Sequence, residues 1–336
     1  MSKKYIAPLL LSIFYLFYSK QVFAHEVYVL SSTDITNDLK VHINVFSILT
    51  SSSNLLLFLL FLSGIIVALF ASYLICNAAF SKKLGSTIEQ FRPYSTLLIR
   101  LVLGISLICS AAYKSFFGPE LPLTQIGSET VLIFILYTCG IAFLLGLHTR
   151  FFAALMIIMY AISALTFHAY MVTYINYFGE FFVLFLLGGE TYSVDQMVFK
   201  EQHKMAKSLD EFGRKYAFTI LRITFGLSLI YTAVYVKFLH PELSLQVISK
   251  YHLTSVFPFP PLLTVLCAGI IESLIGLLYV LGLLMRWNTI FFLLFVTASL
   301  FYFGEAVWPH FILFGIAIGI FLYGYDSFSL SRWLNK

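Results

Sequence analysis

The chain has 336 residues, of which 60% are hydrophobic and 11% charged, with a formal net charge of +5. Ordinary soluble domains carry roughly 25% charged residues, and a soluble chain of this size needs far more polar surface to cover its core. A soluble fold is therefore excluded, the bilayer is the solvent, and the positive charge is explained by its position along the chain without a nucleic-acid partner.

Lys3 and Lys4 precede an apolar run over 6–18, and Val22-Phe23-Ala24 places small residues at cleavage spacing. This predicts a secretory signal peptide over 1–24; an uncleaved anchor helix is the alternative, and both leave His25 outside. Residues 25–53 form a short periplasmic segment. Alternation over 26–30 and 40–46 predicts a small hairpin there. Residues 55–76 then run without a charge, long enough to cross about 30 Å of hydrocarbon, and define an extra transmembrane helix over 54–77. Further apolar spans follow near 96–114, 130–147, 151–173, 176–189, 217–236, 262–284, 287–303 and 309–325, giving nine in the mature chain. The span at 176–189 is short, which calls for tilt or local thinning.

Loop charge orients these spans. Alternate loops carry twelve Lys and Arg on one side, from Lys82 and Lys83 through Arg150, Lys200 and Arg286 to Lys336. The other side holds Lys40, Lys114, Lys237 and Lys250. The positive-inside rule places the richer set in the cytoplasm, the mature N-terminus in the periplasm and the C-terminus inside a bacterial inner membrane.

The chain also matches itself. A shift of 122 superposes Arg100 on Arg222, Gly104 on Gly226, Ser106 on Ser228, Tyr113 on Tyr235, and Pro119-Glu120-Leu121 on Pro241-Glu242-Leu243. A shift of 136 continues with Gly140 on Gly276, Gly146 on Gly282, Arg150 on Arg286, Gly188 on Gly324 and Ser193 on Ser329. An insertion around 249–261 accounts for the change of shift. Such self-similarity predicts a repeat architecture. An even number of spans per copy makes the repeats parallel, related by a pseudo-two-fold axis along the membrane normal. The expected fold is thus an all-α integral membrane protein: two four-helix repeats, 96–196 and 217–332, joined by a basic cytoplasmic linker, 197–216, that lies against the lipid surface.

Each copy resembles the DoxX family of small four-helix membrane proteins. The resemblance rests on Arg222, Gly226 and Lys237-Phe238, then Glu272 through Gly276, Gly282-Leu283-Leu284, Arg286, and a closing Gly324 with Ser329-Leu330. In the first copy it rests on Gly188-Gly189 and Ser193-Val194-Asp195. The first copy departs from the pattern, with Leu136 where the second has Glu272. The resemblance implies an integral subunit or accessory protein that supports quinone-linked redox chemistry beside soluble redox or oxidative-stress partners, rather than a stand-alone enzyme. A permease-like or metal-handling protein and a structural scaffold are the competing readings.

Glu272 is the sharpest single feature. An ionised carboxylate in the middle of a span costs roughly 2.5–3.5 kcal/mol or more, so it must be protonated, paired or hydrated. Arg222, Ser228 and Tyr235, on the preceding span, are its expected partners; a helix-to-helix clamp is the bland reading and a proton-linked or quinone-contacting acid the functional one. A second group, His168, Glu180, Lys237, His240, His252, Glu305 and His310, gathers toward the outer leaflet as an asymmetric polar cluster or as interfacial solvation. Cleavage after Ala24 would expose His25 as an amine and imidazole able to chelate copper with His42. The four cysteines stand singly, without a CxxC pair, and receive no role.

Overall fold

The computed structural model describes residues 42–198, 204–304 and 307–334. These are predominantly helical and include no strand, with one isolated β-bridge between Ser115 and Pro122. Helices follow because a backbone in hydrocarbon must satisfy its hydrogen bonds within its own segment. In order they are α1 (Ser52–Asn77), α2 (Ala79–Glu89), α3 (Ser95–Ala112), α4 (Glu129–Leu145), α5 (Thr149–Phe167), α6 (Ile175–Leu187), α7 (Val194–Val198), α8 (Lys204–Ala233), α9 (Pro241–Lys250), α10 (Pro261–Leu281), α11 (Met285–Phe303), α12 (Val307–Tyr323) and α13 (Leu330–Leu334). A 3₁₀ stretch, His168–Tyr174, joins α5 to α6, and a π-helical turn, Val234–Leu239, ends α8.

Among the described residues six helical segments are long and apolar enough to cross a bilayer: Ser52–Asn77, Arg92–Ala112, Thr149–Leu187, Ser208–Leu239, Pro261–Leu281 and Met285–Phe303. Two shorter apolar helices, Glu129–Leu145 and Val307–Tyr323, accompany them. By length and composition the chain is an all-α, multi-pass membrane protein in contact with lipid. Thr149–Leu187 is not one straight rod. His168 takes φ 51°, and α5 packs back along α6, so the chain reverses through the 3₁₀ stretch.

The signal peptide and His25 lie outside the described residues. The first arm of the expected hairpin and the start of the second, 40–41, lie outside them too; the described part of the second arm forms no strand, and Val45–Thr50 is a 3₁₀ turn, because the Asn44 side chain accepts from the Phe46 amide and starts the turn. α8 runs unbroken from Lys204 to Ala233, so the later part of the predicted linker continues directly into the next apolar span. α1 buries none of its residues. It is apolar on all sides, as a helix facing lipid should be, and touches the rest through Phe58 near Val265 and Leu266.

Packing repeats itself at the same two offsets, 122 and 136. α3 lies along α4, and α8 along α10. Both pairs approach at glycines: a Cβ on Gly104 would lie 2.8 Å from the Gly140 carbonyl oxygen, and one on Gly276 would lie 2.6 Å from that of Gly226. Small residues let membrane helices approach closely enough for backbone-to-backbone packing. α6 in turn packs along α8, and α12 along α3. A Cβ on Gly179 would strike Thr224, and one on Gly315 would strike Val102. The turn after α4 and the turn after α10 also match. Gly146 and Gly282 close their helices in the left-handed conformation, where glycine carries no Cβ penalty. His148 and Leu284 follow at φ 44° and 50°. The amide of Asp195 then donates to the Gly146 carbonyl, as that of Ser331 does to Gly282.

Candidate functional site

Two arginines anchor the ends of the bundle. Arg222, in α8, is 1% exposed and donates from Nε to Asp326 Oδ2 at 2.8 Å. Its Nη1 donates to the carbonyls of Tyr279 and Val280 in the last turn of α10, where Tyr279 also accepts from the capping Gly282 amide. Thr219 Oγ1 and the Phe328 amide each donate to Asp326 Oδ1 at 2.8 Å. Burial alone would raise the Asp326 carboxyl, but the hydrogen bond and charge of Arg222, with the amide and Thr219, hold it below the ordinary range. Arg100, at the matching place in α3, donates to the carbonyls of Gly189 and Tyr192. Burial raises the Glu190 carboxyl beside it, opposed by a hydrogen bond from Thr96.

Arg222 is therefore not the partner of Glu272. Tyr279 lies seven residues beyond Glu272 on α10, roughly 10 Å along the axis at 1.5 Å per residue. Glu272 instead has Lys237 at 3.8 Å, with its side chain 25% exposed. The turn containing Lys237 comes close because Gly269 leaves room for the Lys237 Cβ and the Phe238 ring. Ser228 turns away to the carbonyl of Thr173 and to Asn176 Oδ1. Tyr235 faces Tyr170 and His240. The three residues predicted to gather around this acid thus divide among three places, none of them beside it. Asp326, the partner of Arg222, went unremarked in the sequence, although it stands 136 residues after Glu190.

Of the outer group, His168 is exposed, Lys237 is buried beside Glu272, and His310 is buried on α12. Glu305 lies outside the described residues. Glu180 is wholly buried in α6, and neither carboxyl oxygen has a hydrogen-bond partner among the described residues. It belongs to the bundle interior rather than to an interfacial cluster. His42 is exposed. Among the described residues no group of three His, Cys, Asp or Glu gathers as metal ligands.

Where α6 and α8 meet at their ends away from Arg222, the structure assembles a different cluster. Pro119-Glu120-Leu121 brings Glu120 under the 3₁₀ stretch, where Glu120 Oε1 accepts from Tyr170 at 3.3 Å and from Tyr174. The Tyr170 ring meets Tyr235 edge-on, with centroids 6.0 Å apart. Tyr235 also packs on the His240 ring at 4.7 Å and stacks with Tyr231 at 6.1 Å. His240 Nδ1 lies 3.1 Å from Glu242 Oε1, and Glu242 is buried. Both carboxylates come from the tripeptide kept in both halves of the sequence, Pro119-Glu120-Leu121 and Pro241-Glu242-Leu243. That tripeptide was the available signal; its tyrosine partners were hidden because they come from a segment about 50 residues later.

Chemically, the cluster offers flat aromatic faces with hydroxyl, imidazole and carboxylate groups at their edges. Such a set can hold a planar amphiphile by stacking, present donors to its polar atoms, and store protons on groups of different acidity. The Lys114–Glu129 ion pair, 2.9 Å apart, adds a polar rim on the same loop side. Its hydrogen bond and charge raise the Lys114 ammonium.

Comparison with known proteins gives no match to a family model, to a curated sequence or to a solved structure.

Proposed function

We propose that this chain is a DoxX-like integral subunit of the bacterial inner membrane that supports quinone-linked redox chemistry by holding a quinone head group at the Glu120–Tyr170–Tyr235–His240 cluster. The proposal includes nine mature spans, two parallel four-helix repeats about a pseudo-two-fold axis, the mature N-terminus in the periplasm and the C-terminus in the cytoplasm. Support for the repeats comes from the paired glycine approaches, Gly104 with Gly140 and Gly226 with Gly276. The exchanged ion pairs add to it: Arg150 bonds Asp210, ahead of the second copy, while Arg286 lies 3.8 Å from Glu89, ahead of the first.

One observation carries the ligand assignment: Glu120 with its two tyrosine donors, and His240 with Glu242, flank a common aromatic surface through Tyr235. The donor set fits a quinone, whose ring is flat and whose two carbonyl oxygens accept hydrogen bonds. Tyr170 and Tyr235 would hold the ring, and His240 and Tyr174 would orient its oxygens. A bound quinone supplies two-electron, two-proton redox chemistry. The chain's own groups position the ring and offer Glu120, His240 and Glu242 as proton donors or acceptors beside it, while soluble redox partners exchange the electrons.

Gentle detergent purification followed by lipid extraction and mass analysis tests this. About one quinone per chain is expected, falling at least about tenfold in Glu120→Gln and Tyr235→Ala. Preparations that retain phospholipid but no quinone refute the assignment. The arginine clamps favour a second reading, a structural membrane scaffold; stable capture of partner proteins without quinone supports that reading instead.

A further inference from the structure

The geometry points to Glu180 as a protonation site inside the bundle, whose proton exchanges with the outer face along Tyr177, Ser106 and Glu120. It does not depend on what occupies the outer cluster. Glu180 sits near the middle of α6, is 0% exposed, and has neither oxygen hydrogen-bonded among the described residues. A buried ionised carboxylate needs a counter-charge or several donors, and among the described residues neither Glu180 oxygen has a hydrogen-bond or ion-pair partner. From α3 come Ser106 and Cys109. From α5 comes Tyr160, whose hydroxyl donates to the Met171 carbonyl. From α8 come Thr224, which bonds carbonyls of its own helix, and Arg222, which is engaged by Asp326. With no such partner the carboxyl holds its proton.

A second observation connects this acid to the outside. Tyr174, which caps α6, and Tyr177 and Glu180 within it recur every three residues and so lie toward one side. Tyr174 donates to Glu120. Tyr177 is buried, its hydroxyl 2.8 Å from Ser106 Oγ and 3.4 Å from the Phe117 carbonyl. The positions 136 residues later are His310, Leu313 and Ile316. Ile316 is fully buried in α12, so an apolar side chain satisfies the same place in the fold and the carboxyl is not needed for packing. In one transfer, Glu180 gives up a proton and becomes a carboxylate, while the Glu120 carboxylate takes one up. Each intervening hydroxyl accepts one proton as it passes one on and is left unchanged.

Infrared spectroscopy of the full-length protein in liposomes tests the assignment. At neutral pH the carbonyl stretch of a protonated carboxylic acid should appear, be missing from Glu180→Gln, and shift when the sample is moved into D₂O. Glu180→Ile, which copies the second half, should remain folded and lack the same band; it supplies the difference spectrum should the Gln variant fail to fold. Tyr177→Phe should keep the band but slow its deuterium shift at least about tenfold. A spectrum without a Glu180-dependent acid band overturns the site, as does unfolding of Glu180→Ile, which would make the carboxyl a structural partner. A band that never shifts in D₂O, or one that shifts equally fast in Tyr177→Phe, overturns the route.

Discussion

Cutting the Arg222–Asp326 pair gives the most direct energetic test of how the bundle is closed. Both groups are nearly inaccessible, at 1% and 2% exposure, so Asp326→Ala strands a guanidinium away from water. Removing one partner of such a buried pair typically costs about 3–5 kcal/mol. Arg222→Met should cost a similar amount, because it leaves the buried Asp326 charge without its counter-ion and takes the guanidinium donor from the Val280 carbonyl. The Arg222→Met/Asp326→Leu double variant removes both charges together. Its loss should be smaller than the sum of the two single losses by at least about 2 kcal/mol. It should not return to wild-type stability, since the carbonyls of Tyr279 and Val280 still lose their donor. Reversible unfolding in mixed micelles, with a double-mutant cycle, measures the coupling. The pH dependence follows from the same pair. The folded-state pKa of Asp326 is displaced downward, so its stabilisation is complete above the unfolded value near about 3.9. It fades as pH falls below that value toward the folded one, and Asp326→Ala should remove this acid-sensitive component. A coupling under about 0.5 kcal/mol, the range of an exposed pair, would refute the reasoning.

Glu272→Leu should change stability by less than about 1 kcal/mol, because its Lys237 partner is 3.8 Å away and the carboxylate is partly exposed; a loss matching that of Asp326→Ala in the same unfolding assay would restore Glu272 as a clamp. Gly140→Ala and Gly276→Ala should each cost about 1–3 kcal/mol by pressing a methyl group into a facing backbone. Gly64→Ala, with nothing within 4 Å, should be neutral or stabilising by up to about 1 kcal/mol, and equal effects at all three positions would contradict the close helix approach. In a cysteine-free background, Ser255→Cys should react with an impermeant maleimide added to whole cells and Ser86→Cys should not; reversed labelling overturns the proposed orientation.

The sequence was most informative where one physical requirement acts on consecutive residues. Uncharged apolar runs have to become helices in a bilayer, and α1, α3, α5, α8, α10 and α11 lie where those runs predict them. Glycines were legible for a related reason. Gly146 and Gly282 are needed for a left-handed turn, and Gly104 and Gly226 for a close approach, so each kept its place at the 122 or 136 offset. The helix type of each run and the self-similarity could thus be read locally.

Partner choice could not. Arg222 and Glu272 looked like a pair because they are opposite charges on consecutive spans, but hydrophobic pattern fixes neither the depth nor the rotation of a helix that is apolar all round. Packing at Gly226 and Gly276 sets that depth, and it delivers Arg222 to the end of α10 and to Asp326, 104 residues away. Glu180 looked interfacial from its place near a loop, yet the reversal at His168–Tyr174 carries α6 into the bundle and buries it completely. The Glu120–tyrosine contact likewise exists only because α5 and α6 fold back over the turn at Pro119. Composition, helical spans and internal self-similarity were determined by the sequence alone, through constraints that act on neighbouring residues. Which charges meet, and which acid is left without a partner, was decided by tertiary packing, because a charge's energy depends on distance and burial that only the assembled helices define.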